Sequence, residues 1–146
     1  MEITINPSVL LWGVLLGVFV LIVVILVVRQ VLRRSRSSPL DRAEIQRRWQ
    51  RIELLARSAD ESGLRHAVIE ADSVFDLAMK LKFFSGLDFG GRLKAAQARS
   101  PKLRAIWQAH RLRNELVHES GNSLRRGSAA YAIGIYRNGL KELGLL

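Results

Sequence analysis

Apolar residues are placed by one rule in the first fifth of the chain and by another in the rest. Val9 to Val28 is a run of 20 residues without one charged side chain. At about 1.5 Å per residue a helix of that length reaches roughly 30 Å, the thickness of a bilayer's hydrocarbon core. After the run, apolar residues recur three and four positions apart with polar residues between them, as amphipathic helices require.

Ser35 to Pro39 is a polar break before the first of these helices. Ser38 reads as an N-cap, Pro39 as the first helical residue, and Asp41 stands three residues after the cap. Ile45, Trp49, Ile52 and Leu55 then share one face. Gly63 opens a second helix, which carries Leu64, Ala67, Val68, Ala71, Val74, Phe75, Ala78 and Leu81 as far as Phe83 and Phe84. Ser85 to Gly91 is a glycine-rich turn whose Leu87 and Phe89 are expected in the core. A short basic helix spans Arg92 to Arg99. Ser100-Pro101 repeats the cap-plus-proline signal and starts a helix through Leu103, Ile106, Trp107, His110, Asn114 and Val117, which ends at Ser120 to Ser123. The last helix carries Ala129, Ala132, Ile133, Tyr136, Leu140 and Leu143, with Gly144 as its stop. Trp49 and Trp107 fall on apolar stripes and read as core.

No alternating strand pattern of useful length is present, so the fold class is all-α. The pattern predicts one N-terminal transmembrane helix followed by a bundle of four main helices plus a short one. The divisions are 1–8, a short extracytoplasmic terminus; 9–28, the transmembrane helix; 29–39, a basic juxtamembrane linker; and 40–146, a cytoplasmic bundle.

Charge turns the span into an orientation. The net charge is +10. Arg29, Arg33, Arg34 and Arg36 follow the apolar run, against Glu2 alone before it, which places the carboxyl side in the cytoplasm of a single-pass cell-membrane protein. A cleaved signal peptide would want basic residues before the run and a small-residue cleavage site after it, and neither is there. The four arginines can also grip anionic lipid headgroups. Trp12 suits an interface anchor, and Gly13 and Gly17, one turn apart, would let two spans pack closely. From Asp41 onward there are 19 Lys/Arg against 12 Asp/Glu, so the bundle itself favours anionic partners. The absence of cysteine excludes a disulfide scaffold, a thiol nucleophile and thiolate metal sites.

Chemistry concentrates in Trp107 to Glu119, whose core reads Arg113-Asn114-x-x-x-His118. Asn114 and His118 are four apart and share a helix face, with His110 one turn before them. Arg113 lies about 140° around the helix from His118, so its long side chain or a second subunit has to close the gap.

This core, near the carboxyl end of a late helix in an all-α bundle with one more long helix after it, resembles the signature of HEPN domains. The resemblance covers Gln46 to Leu146. It implies a homodimer that brings two copies of the motif into one cleft and, in active members, cleavage of RNA by a metal-independent endoribonuclease, with no cofactor. Arg113, Asn114 and His118 are then the candidate catalytic residues, and His110, Glu70 and Glu119 the supporting ones. A histidine can move a proton to or from a ribose oxygen, and an arginine can hold the phosphate. Arg92, Lys94, Arg99, Lys102, Arg104 and Arg111 are candidates for guiding an RNA backbone.

Other readings stand beside these. A histidine in the last turn of a helix is favoured by the helix dipole whatever its role. Glu70 either pairs with Arg113, orients His118, or forms an ordinary bundle salt bridge, whereas Asp72 and Asp76 read as solvated. The competing function is a non-enzymatic membrane-anchored adaptor whose bundle presents a surface to a cytoplasmic protein.

Overall fold

The computed structural model describes residues 12, 13, 15–26, 38–57, 60–118 and 123–146, and the chain divides at Arg36 and Ser37 into two units. In the first unit, residues 12, 13 and 15–26 are helical and exposed, large side chains such as Trp12, Phe19 and Leu21 included. No helix among the described residues is long and apolar enough to cross a membrane. The expected span at 9–28 runs past them, since residues 9–11, 14, 27 and 28 lie outside, as do the expected terminus at 1–8 and linker residues 29–37. A Cβ added at Gly13 or Gly17 would meet nothing.

The second unit is all-helical among its described residues. Its elements are α1 (Pro39–Ala56), α2 (Glu61–Leu81), α3 (Phe89–Arg99), a 3-10 turn (Pro101–Ala105), α4 (Ile106–His118) and α5 (Arg126–Glu142). Ser38 caps α1 as its sequence predicts. The Ser38 hydroxyl accepts from the Asp41 N–H at 3.1 Å, and the Asp41 carboxylate accepts from the Ser38 N–H at 3.0 Å. Ile45, Trp49 and Ile52 form the buried face of α1.

The central helix is α2, with Ala67, Val68, Ala71, Val74, Phe75, Ala78 and Met79 fully buried. It starts at Glu61 rather than at Gly63, with Asp60 at the cap position. Its end is a Schellman closure, in which the N–H groups of Phe83 and Phe84 reach the carbonyls of Lys80 and Met79. That motif needs a left-handed residue after the cap, ordinarily glycine. Phe83 supplies it at φ 57° and is left 65% exposed.

Residues 82–88 then turn the chain into α3, which starts a turn earlier than the basic pattern suggests because the Asp88 carboxylate caps the Gly91 N–H at 2.6 Å. Phe89 packs against the core as expected, but Leu87 is fully exposed. The two residues alternate across the helix start, so only one can face inward. Arg92 of α3 is buried and clamps the turn: its guanidinium donates to Asp76 at 2.6 and 2.8 Å and to the Gly86 carbonyl at 3.0 Å.

Ser100-Pro101 opens the 3-10 turn rather than α4 directly, and the Ser100 hydroxyl donates to Glu142 instead of capping. At the end of α5, Gly144 at φ 68° completes a second Schellman closure, with Leu145 N–H on the Leu140 carbonyl.

Helix directions follow from side-chain pairings. Arg48 of α1 donates to Glu70 of α2, so the two helices run antiparallel as a hairpin. Tyr136 of α5 meets Asp72, and Leu124 before α5 meets Glu61, so α5 runs parallel to α2. Ile106 lies beside Gly139 while the Leu116 carbonyl accepts from Arg65, so α4 runs against both. The bundle therefore has two ends. One carries the start of α1, the end of α2 and the 82–88 turn. The other carries the start of α2 and the end of α4.

Candidate functional site

The polar centre of the bundle is Asp72, a carboxylate in the middle of the apolar face of α2 and only 4% exposed. Three helices supply its partners. The Tyr136 hydroxyl of α5 donates to Oδ1 at 2.6 Å, and His110 of α4 meets the same oxygen through Nδ1 at 2.6 Å. A carboxylate only accepts, so the shared proton of that bond sits on Nδ1. Arg113, one turn further along α4, brings Nε to 3.4 Å from Oδ2. That is close enough for the charges to pair but without hydrogen-bond alignment, and Nε is the buried side-chain polar atom that lacks a hydrogen-bond partner among the described residues. Burying a carboxylate is costly unless it is paired and hydrogen-bonded, and these three groups together meet that condition.

Aromatic packing fixes the histidine. Phe89 stacks on the His110 ring with centroids 3.9 Å apart and planes 3° off parallel, and Trp107 meets it edge-on at 6.5 Å. Trp107 is held in turn by a 3.0 Å hydrogen bond from Nε1 to Gln97. Asp72 thus ties α2, α4 and α5 together, with α3 packed on the imidazole.

Tyr136 bears the electrostatic consequence. Burial, and then the negative charge of Asp72, raise its phenol pKa far above the ordinary value. A raised folded-state pKa stabilises the fold at every pH below about 10, and that contribution is lost as the pH climbs past the unfolded value toward the folded one. The urea midpoint of the wild type should therefore drop between neutral pH and pH ~11 more steeply than that of Tyr136→Phe, which has no phenol to ionise. Equal slopes would contradict this account of the phenol.

The predicted motif is drawn partly into this centre. Arg113 and Asn114 are together, with Arg113 Nη1 donating to the Asn114 side-chain oxygen at 2.9 Å. His118 is exposed in the last turn of α4, apart from the Asp72 group. His110 serves Asp72. Glu70 meets neither Arg113 nor His118: it accepts from Arg48 at 2.7 and 2.9 Å, the ordinary salt bridge among its readings. Glu119 lies outside the described residues. Among the basic candidates, Arg92 is committed to Asp76 and buried, which removes its guanidinium from the surface. Lys94, Arg99, Lys102, Arg104 and Arg111 are exposed, with Arg99 over the Phe84 ring and Lys102 3.4 Å from Glu142.

Two residues of the centre escape a reading of the sequence by type. Tyr136 reads as plain core, and Asp72 as a solvated acid. The signal for Asp72 is positional: Leu64, Val68, Asp72, Phe75 and Met79 follow one another at four, four, three and four residues, all of them buried. Asp76 is not free in solvent either, since Arg92 and Lys80 hold it.

The end of α4 is braced from α2. Arg65 donates to the Leu116 carbonyl at 2.7 Å, and Glu61 accepts from the Leu124 N–H at 2.9 Å and from Arg65 at 3.2 Å. The Leu124 N–H, then Arg65, hold the Glu61 carboxyl below its ordinary pKa. Beside this brace an open cleft of about 330 Å³ is lined by Leu112, Glu115, Leu116, Ser123, Arg125 and Ser128, among others. No group of three or more acidic or histidine side chains among the described residues is arranged to hold a metal ion.

Comparison of the chain with models of known families, with curated proteins and with solved structures finds no match.

Proposed function

We propose that the chain is a membrane-tethered, HEPN-like RNA-binding module, anchored by a single span at Val9–Val28 with the bundle in the cytoplasm. In this reading two copies bring their α4 ends together and cleave RNA without metal. His118 takes the proton from a ribose 2′-hydroxyl, the 2′-oxygen attacks the adjacent phosphorus, and the 5′-oxygen leaves with a proton returned by the partner's histidine. Arg113 offsets the charge on the phosphate, with Asn114 holding the guanidinium. Gly13 and Gly17 favour pairing of the spans, which would raise the local concentration of the two bundles.

One observation carries this reading. Arg113 is fixed by Asp72 and Asn114, yet its side chain stays 33% exposed. A guanidinium with a set position and part of its surface open to solvent, on the same helix as an exposed histidine, is preorganised for an anion. The span is supported by the length and purity of the apolar run and by the helical, outward-facing side chains of its described part.

The adaptor reading has an observation of its own, because the charge of Arg113 is already met within the chain by Asp72. Titrating the full chain in detergent with single-stranded RNA at rising salt separates the two. RNA binding should weaken along a log–log slope of about −0.7 per phosphate contact, and Arg113→Ala should make that slope shallower. No salt-dependent binding in either form would leave the adaptor.

A further inference from the structure

The bundle end on which the chain enters α1 carries a pattern that RNA chemistry does not use. Leu40 is 81% exposed, Phe83 is exposed at its left-handed position, and Leu87 is fully exposed. Because α1 and α2 are antiparallel, the start of α1 and the turn after α2 lie at one end of the bundle. Single exposed apolar residues need no explanation, but three large ones at one end, one on α1 and two in the turn after α2, do.

Cations stand among them. Arg42 is exposed on the first turn of α1, and Arg99 covers the Phe84 ring at 5.4 Å. Acids of this end are engaged within the chain: Asp41 accepts from the Ser38 N–H, Asp88 from the Gly91 N–H, Glu142 from Ser100 and Lys102, and Asp76 pairs with Arg92 and Lys80. Apolar tips beside cations are what an anionic lipid surface binds, with side chains in the acyl boundary and charges at the headgroups.

The chain adds reach and more charge. Nine residues, 29–37, separate the apolar run from Ser38, and at full extension they cover about 30 Å. Arg29, Arg33, Arg34 and Arg36 fall within them. This end can therefore come down onto the bilayer that holds the run.

From this juxtaposition we infer that the bundle docks on an anionic membrane surface through Leu40, Phe83 and Leu87, flanked by Arg42 and Arg99. The inference rests on the tether reading. It also assigns an orientation, because the end of α4 with His118 is at the opposite end of the bundle and would face away from the lipid. Docking would keep the motif open to solvent instead of pressed against headgroups.

The chain has no cysteine, so Leu87→Cys in the full chain takes a single environment-sensitive fluorophore. Ser128→Cys, exposed at the opposite end, is the control. Both are reconstituted in vesicles of phosphatidylcholine alone or mixed with phosphatidylglycerol, with brominated acyl chains as quencher. The expected result is a blue shift and quenching at position 87 in the anionic vesicles only, with none at position 128. Replacing Arg42 by glutamine should lower the docked-to-undocked ratio about fivefold. A chain that floats with the vesicles while position 87 stays in water overturns the docking and leaves the tether. A chain that does not float with either vesicle overturns both.

Discussion

Asp72→Ala is expected to cost about 3–5 kcal/mol of folding stability, because it strands three polar groups at once. The Tyr136 hydroxyl, the His110 Nδ1–H and the Arg113 guanidinium all face Asp72, and alanine offers none of them an acceptor or a charge. A domain typically has about 5–15 kcal/mol in total, so the variant would stand near the edge of folding. The deletions should not add. Once Asp72 is gone, Tyr136→Phe removes a stranded hydroxyl rather than a working hydrogen bond, so the double variant should lose less than the sum of the single losses. Urea unfolding of the four forms measures this directly. A loss below about 1 kcal/mol for Asp72→Ala would mean that the three partners find water or one another.

Gly86→Ala is expected to be comparably damaging for a different reason. At φ 151° the residue has a backbone that side chains rarely adopt, and a Cβ there would stand 2.2 Å from the Arg92 nitrogen and 2.5 Å from the Gly91 carbonyl carbon. Both neighbours are backbone, so no side chain can swing aside. Relief means opening the turn, and with it the Gly86 carbonyl's bond to Arg92 and the Arg92–Asp76 pair. Overpacking and left-handed strain together put the cost at about 2–4 kcal/mol. Unfolding of Gly86→Ala beside the wild type gives the test, and an unchanged midpoint would show that the turn has another conformation of equal energy.

The helices were legible because their apolar stripes are regular and their starts carry local chemistry. Ser38, Pro39 and Asp41 encode the opening of α1 within four residues, and Gly144 encodes the stop of α5. Other features depend on distant neighbours. Phe83 ends α2 in a conformation ordinarily left to glycine, and nothing in its type announces this. Ser100-Pro101 looks like a helix cap, but the serine hydroxyl is taken by Glu142, 42 residues away, and a 3-10 turn results. Leu87 looks like core and is outside, since the helix that begins beside it turns Phe89 inward.

The motif was legible only in part. Arg113 and Asn114 are joined as neighbours, and the exposure of His118 fits a helix-end residue. What organises Arg113 is Asp72, 41 positions earlier. That contact depends on how α2 and α4 cross, which no local pattern carries. Glu70, at the border of the apolar stripe of α2, is held by Arg48 across the α1–α2 hairpin, a pairing its own helix does not reveal.

The exposure of His118 makes the decisive measurement clean, because removing its ring disturbs no packing. Single-stranded RNA is incubated with the full chain in detergent and excess chelator, using wild type and His118→Ala preparations of equal urea midpoint. The account predicts cleavage by the wild type and a loss of about 10²–10⁴-fold in the variant. Cleavage at the same rate by both forms, or none by the wild type, would contradict it.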